Sequence, residues 1–161
     1  MPQLIKPITP HLWFSTPELV KEAVEYYVSV FPNSKVLSTY VLHNTPTPGG
    51  DTFVYEFELN GQRFMAINGG DIFKFNEAVS FIITCETQEE LDMYWSKLSA
   101  VPESEQCGWC KDKFGLVWQI SPLFLDELMT SGDQAKIDRV TQAFLPMKKI
   151  VIADLETAAN S

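Results

Sequence analysis

The chain has 161 residues, of which 45% are hydrophobic and 20% charged, with a net charge of −9. That length suits one domain, or two small halves sharing a core, and the composition is that of an ordinary globular protein. The acidic balance, with no Lys/Arg cluster against it, argues against binding to nucleic-acid phosphates, and no apolar run approaches the roughly 20 residues of a membrane helix. The opening MPQLIKPITP lacks the apolar core of a signal peptide. Three cysteines are an odd number in a long chain, which suits a reducing cytoplasm better than a disulfide framework.

A first strand is expected from Ile8 to Ser15. Thr16-Pro17-Glu18 then opens a helix, with Thr16 as N-cap and Pro17 at the first helical position, where its missing N–H is harmless. Val20, Ala23, Val24 and Tyr27 form one buried stripe, and Pro32-Asn33-Ser34 ends the helix. Strands are expected at 35–42, 52–59 and 63–68. A Pro/Gly-rich loop separates the first two, and the tight-turn pair Asn60-Gly61 separates the last two.

The pattern then restarts. A strand is expected from Ala78 to Cys85, and Thr87 with Glu90 makes a capping box for a second helix. The shift that carries Thr16 onto Thr87 carries the first apolar stripe onto Leu91, Tyr94, Trp95 and Leu98. Gly61 precedes RFMAIN, and Gly115 precedes LVWQIS. These matches read as an internal duplication of a β-α-β-β-β unit. The fold class is therefore α+β, with module one at about 5–72, module two at about 73–122, and a helical tail at 123–161. Such a tail packs against the sheet or against a partner subunit.

Gln106 to Pro122, QCGWCKDKFGLVWQISP, reads as a hairpin: one strand to Lys111, a turn at 112–115, and a second strand to Ser121. Alternation puts Leu116, Trp118 and Ile120 on one face and Val117, Gln119 and Ser121 on the other. A face that mixes Gln and Ser with apolar residues suits a cavity wall. Cys107 and Cys110 form a C-x-x-C in a strand rather than at a helix N-terminus, and only Cys85 remains to join them. A redox pair or a four-cysteine zinc site is therefore disfavoured against two incidental thiols. His43 sits in the Pro-rich loop, so no Ser-His-Asp or Cys-His arrangement is suggested.

Two such modules in one chain of this size resemble the vicinal oxygen chelate superfamily. ITPHLWF, YYVSVFPNSKV, FELNGQRFMAINGG, FKFNEAVSFIITCETQEELDMYWSKL, QCGWCKDKFGLVWQISP and MKKIVIADLE resemble its PhnB-like branch, which often carries the label of a demethylubiquinone methyltransferase domain. The resemblance spans about residues 8–156. It implies a glyoxalase/bleomycin resistance-like fold whose curled sheets form a cup, frequent homodimers, and, in catalytic branches, a divalent metal held from the first and last strands of the modules.

At those strand positions the chain offers His11 and Gln119, while Met65 stands at the counterpart of Gln119. One imidazole and one neutral amide are a poor set for a catalytic metal. Methyl transfer is also disfavoured, because the first strand leads into STPEL with no glycine, and Asn68-Gly69-Gly70 opens no long helix. NGGDIFKFNEA reads instead as the linker between modules. The expectation is a cytoplasmic protein with no cofactor that binds a small apolar or aromatic molecule in the cup, without a catalytic metal. Ligand contacts are expected from His11, Trp13, Tyr55, Asn68, Phe75, Trp109, Trp118 and Gln119, and a divalent-metal enzyme of the glyoxalase/dioxygenase type is the alternative. Each aromatic taken alone is more often core than site, and Lys74, Lys111 and Lys113 read as solvated rather than as anion binders.

Overall fold

A computed structural model describes residues 7–161; the expected start of module one at residues 5 and 6 lies outside the described residues. The chain forms two compact units, one ending at Lys74 and the other beginning at Phe75.

The first unit comprises β1 (His11–Phe14), α1 (Pro17–Val30), β2 (Lys35–His43), β3 (Asp51–Leu59) and β4 (Gln62–Asn68). The Thr16 hydroxyl accepts from the Leu19 N–H at 3.2 Å, so the cap forms as the sequence implies. Asn60 and Gly61 take φ of 46° and 82°, the positive values a two-residue hairpin needs. The sheet order is β1-β4-β3-β2, with β1 parallel to β4 and the other neighbours antiparallel.

Helix α1 covers one face, burying Val20, Ala23, Val24 and Tyr27. Leu12, Phe14, Phe57, Phe64 and Ala66 are buried on the sheet side of that core. The cross-strand partners Phe57 and Phe64 stack with centroids 5.6 Å apart. The opposite, open face carries the row His11, Met65, Glu56 and Ser38 and the row Trp13, Ile67, Val54 and Tyr40. His43 ends β2 rather than lying in the following loop.

The second unit comprises β5 (Phe81–Cys85), α2 (Gln88–Leu98), a 3₁₀ turn (Pro102–Ser104), β6 (Trp109–Lys111), β7 (Val117–Pro122), α3 (Leu123–Met129), α4 (Gln134–Phe144) and α5 (Ile152–Ala159). Thr87 caps α2 by accepting from the Glu90 N–H at 3.2 Å, while the Glu90 carboxylate reaches back to the Glu86 N–H at 2.8 Å. The sheet order β5-β7-β6 repeats the first unit without its outer strand. Two local features remove that strand. Pro102 starts a 3₁₀ turn, and Cys107 and Gly108, at φ 41° and 86°, fold into a turn that joins Gln106 to Trp109. The strand expected from Gln106 therefore begins only at Trp109.

Strand register supports the duplication independently of helix pattern. His11 pairs with Met65 in β1–β4, and Ile82 pairs with Gln119 in β5–β7. The shift from Thr16 to Thr87 takes His11 to Ile82, and the shift from Gly61 to Gly115 takes Met65 to Gln119. Of the α2 stripe, Leu91 and Leu98 are fully buried, while Tyr94 and Trp95 are half-buried.

The tail is stitched into the second unit. The Cys107 and Gly108 N–H groups donate to Met147 O and Lys148 O at 2.6 and 2.8 Å. The Gln88 side chain donates to Ile150 O and accepts from the Ile152 N–H. Leu125, Leu128, Val140, Ile150 and Leu155 fill the resulting core. Among the described residues no helix is long and apolar enough to cross a membrane.

Candidate functional site

Strand parity sorts the expected ligand contacts. Tyr55 pairs with Ala66 on the α1 side of the first sheet, and burial together with Glu25 raises its pKa. Asn68 is 1% exposed; its Oδ1 accepts from the Phe53 N–H at 2.6 Å and its Nδ2 donates to Asp51 O at 3.0 Å. The amide expected to anchor a ligand is occupied in closing the β3–β4 edge. Trp118 is 2% exposed and donates its indole N–H to Asp112 Oδ2 at 2.8 Å, opposite the buried Cys110. These three belong to the packed helix-side faces rather than to a cavity wall.

His11 and Trp13 stand on the open face of the first sheet. Partial burial lowers the His11 pKa. Trp13 donates to Gly70 O at 2.8 Å and meets Phe73 edge-on at 5.0 Å, so its ring braces the linker. Glu56 and Arg63, ion-paired at 3.0 Å on this face, are functional-type groups that the sequence reading did not single out. Phe75 is half-buried in the linker and lies on no strand.

Trp109 and Gln119 are cross-strand partners on the open face of the second sheet, and both line a cavity of about 330 Å³. Ile82 and Ser121 extend that sheet wall, and the Cys107-Gly108 turn forms one end. Leu125, Asp126 and Met129 from α3, Phe144 from α4, and Ile150 complete it. The volume suits a small organic ligand. Gln119 donates its amide N–H to the Ser80 hydroxyl at 2.7 Å, which orients its carbonyl oxygen as an acceptor. Asp126 lies exposed at the mouth, with Oδ2 accepting from the Thr84 hydroxyl at 3.1 Å.

The thiols sit in environments opposite to those of redox pairs. Burial raises the Cys107 pKa, and burial with Asp112 and Glu105 pushes Cys110 up to about 12. The two occupy a cavity-edge turn and a buried strand position. The lysines weighed as anion binders are engaged: Lys111 pairs with Glu77 at 2.5 Å, Lys74 with Asp71, and Lys113 lies over the Phe114 ring.

The tail contributes five of the twelve lining residues, yet nothing in its sequence marks Asp126, Met129 or Phe144 among them. Their pairing with Trp109 and Gln119 depends on the backbone bonds from the Cys107-Gly108 turn to residues 147 and 148. A Cβ at Gly108 would meet Ile120 O at 3.0 Å, and the positive φ there reinforces the need for glycine.

A family model described as 3-demethylubiquinone-9 3-methyltransferase matches residues 6–121. The PhnB protein of Bacillus cereus, which carries that family name, is 34% identical; the match covers 73% of this chain and 99% of that one, with a TM-score of 0.59. A glyoxylase/bleomycin resistance protein/dioxygenase domain from Frankia sp. is 12% identical, covering 74% and 93%, with a TM-score of 0.51. A variant of the Listeria monocytogenes fosfomycin resistance protein FosX, complexed with Mn(II) and 1S,2S-dihydroxypropylphosphonic acid, is 12% identical, covering 80% and 100%, with a TM-score of 0.53. No curated protein sequence matches significantly.

Proposed function

Because the chain belongs to the PhnB-type, 3-demethylubiquinone-9 3-methyltransferase-like family of the vicinal oxygen chelate superfamily, we propose that it binds a small apolar or aromatic molecule on the open face of its second sheet without a catalytic metal. The observation that carries this reading is the cavity of about 330 Å³ walled by Trp109, Gln119 and the tail helices. It combines a broad apolar surface with a few oriented polar groups, the usual make-up of a small-molecule site.

A divalent metal of the kind bound in the FosX complex does not fit this chain's donors. The strand positions in question hold His11 and Met65 in one sheet and Ile82 and Gln119 in the other. A thioether and a hydrocarbon are unsuited to a hard cation, and an imidazole with an amide falls short of a catalytic set. Among the described residues no three His, Cys, Asp or Glu side chains are grouped to hold a metal ion. Methyl transfer from a nucleotide donor has equally little support. Gly69 and Gly70 lead into no helix, and neither mixed sheet is the doubly wound sheet such donors use.

Indole titrated into isotope-labelled protein tests the reading. The expected result is a shift of the Trp109 indole N–H and the Gln119 side-chain amide, with affinity lowered at least tenfold in Met129→Trp, which fills the cavity from an exposed position. Perturbations confined to residues outside the cavity would overturn it.

The protein also forms a homodimer in this reading, through β2. That strand is an edge of its sheet and leaves Val36, Leu37, Tyr40 and Leu42 between 36% and 49% exposed. A nine-residue edge with apolar groups on both faces and Lys35 at its start as its one Lys, Arg, Asp or Glu invites a second copy. Sedimentation across a concentration series should show a dimer that Tyr40→Asp with Leu42→Lys converts to a monomer. A wild-type monomer throughout would refute it. Three free thiols accord with a reducing, cytoplasmic setting.

A further inference from the structure

The second unit is far more acidic than the first. From Phe75 onward the sequence holds fourteen Asp and Glu against seven Lys and Arg, a net charge of −7 out of −9 for the whole chain. Its cavity follows that sign. Among the described residues no Lys, Arg or His lines it, and Asp126 and Cys107 are its only titratable groups. Burial raises the Cys107 pKa. The nearby cations are committed elsewhere: Lys148 to Glu105 at 3.3 Å, Lys149 to Asp92 at 2.6 Å and Lys111 to Glu77.

Two side chains of the cavity wall, Gln119 and Asp126, offer oxygen acceptors to a ligand. One of the two Gln119 amide N–H groups donates to the Ser80 hydroxyl, and its Oε1 is an acceptor. Asp126 Oδ2 is held by the Thr84 hydroxyl, and Oδ1 has no partner among the described residues. A ligand that donates hydrogen bonds would meet both, whereas a phosphate, phosphonate or carboxylate would meet acceptors and a like charge. Trp109 adds an aromatic face, which attracts cations electrostatically. The surrounding acidic surface raises the local concentration of cations.

We propose that this cavity selects a small organic cation, an ammonium on an aromatic or aliphatic body, with the body against Trp109, Ile82 and Met129 and the N–H groups directed to Asp126 and Gln119. The proposal rests on the cavity being the binding site, and it adds the sign of charge that the site accepts. It sets this chain apart in ligand chemistry from a fold relative complexed with a phosphonic acid.

Phenethylamine, ethylbenzene and 3-phenylpropionate share one apolar body and differ in charge. Each is titrated into the full chain, with the Trp109 indole N–H as readout, in wild type, Asp126→Asn, Asp126→Glu and Trp109→Ala. Wild type should bind the amine at least tenfold more tightly than the carboxylate, which is about 1.4 kcal/mol. Asp126→Asn, which still accepts from Thr84, should bring the two within about twofold and leave ethylbenzene unchanged, by loss of a single ion pair. Asp126→Glu should keep the preference. Equal binding of amine and carboxylate, or a preference that survives in Asp126→Asn, overturns the proposal while the binding site stands. If none of the three molecules shifts Trp109, or if Trp109→Ala binds them as wild type does (read from the Gln119 side-chain amide), the site itself is wrong and the proposal falls with it.

Discussion

Asp112→Ala is expected to lower the unfolding free energy of the second unit by roughly 3–5 kcal/mol, read as a shift of the denaturant midpoint. Asp112 is 1% exposed and is the hub of the β6–β7 hairpin. Its Oδ1 accepts from the Phe114 and Leu116 N–H groups at 2.9 and 3.0 Å, and its Oδ2 from the Trp118 indole at 2.8 Å. Alanine would leave three donors without this acceptor, the Leu116 N–H and the Trp118 indole buried and the Phe114 N–H part-buried, and each buried unsatisfied donor costs about 1–3 kcal/mol. Asp112→Asn separates hydrogen bonding from shape. One amide oxygen can serve the two backbone donors, but the amide nitrogen then faces the Trp118 N–H, so about half the loss is expected. Trp118 emission should move to longer wavelength in both variants as the ring gains water. A loss below about 1 kcal/mol in the alanine variant would show that the hairpin is held by apolar packing alone.

How far the sequence reveals this architecture depends on how local each signal is. Thr16, Thr87 and Asn60-Gly61 act through their own backbone neighbours, and each forms the cap or turn its chemistry implies. Periodicity finds α1 to the residue at its start and the stripe it buries. The Cys107-Gly108 turn is less legible, because Cys-Gly lacks the Asn or Asp that usually marks a positive-φ pair, and its N–H groups are satisfied by residues 147 and 148, far away in sequence. The cavity escapes for the same reason, since five of its twelve lining residues come from a tail whose position is a tertiary fact. One part of the candidate site is readable from alternation alone. Alternation places Trp118 and Gln119 on opposite faces of one strand, so they do not share a cavity wall, and Trp109 is the tryptophan that faces Gln119. Asn68 misleads in a different way, because a polar strand end looks like a ligand anchor until its two backbone partners are seen.

Gly69→Ala should destabilise the first unit by about 2–3 kcal/mol through overpacking alone. A Cβ at this position would stand 2.1 Å from Trp13 Cζ2 and 2.2 Å from Cε2, while φ at Gly69 is not in the left-handed region. The added methyl must therefore displace the indole or the linker. The indole is fixed on two sides, by its hydrogen bond to Gly70 O at 2.8 Å and by the edge contact with Phe73 at 5.0 Å. Retreat of the ring gives up both contacts, and retreat of the linker moves Asn68, whose amide closes the β3 edge. A double-mutant cycle isolates the clash. Trp13→Phe alone loses the hydrogen bond and some area, a change of about 1–2 kcal/mol. In the Gly69→Ala background the smaller ring leaves room for the methyl, so the double variant should be less destabilised than the sum of the singles by at least about 1 kcal/mol. Strict additivity would mean that the linker yields and the ring does not, and Asn68 would then be the group whose loss of register carries the effect.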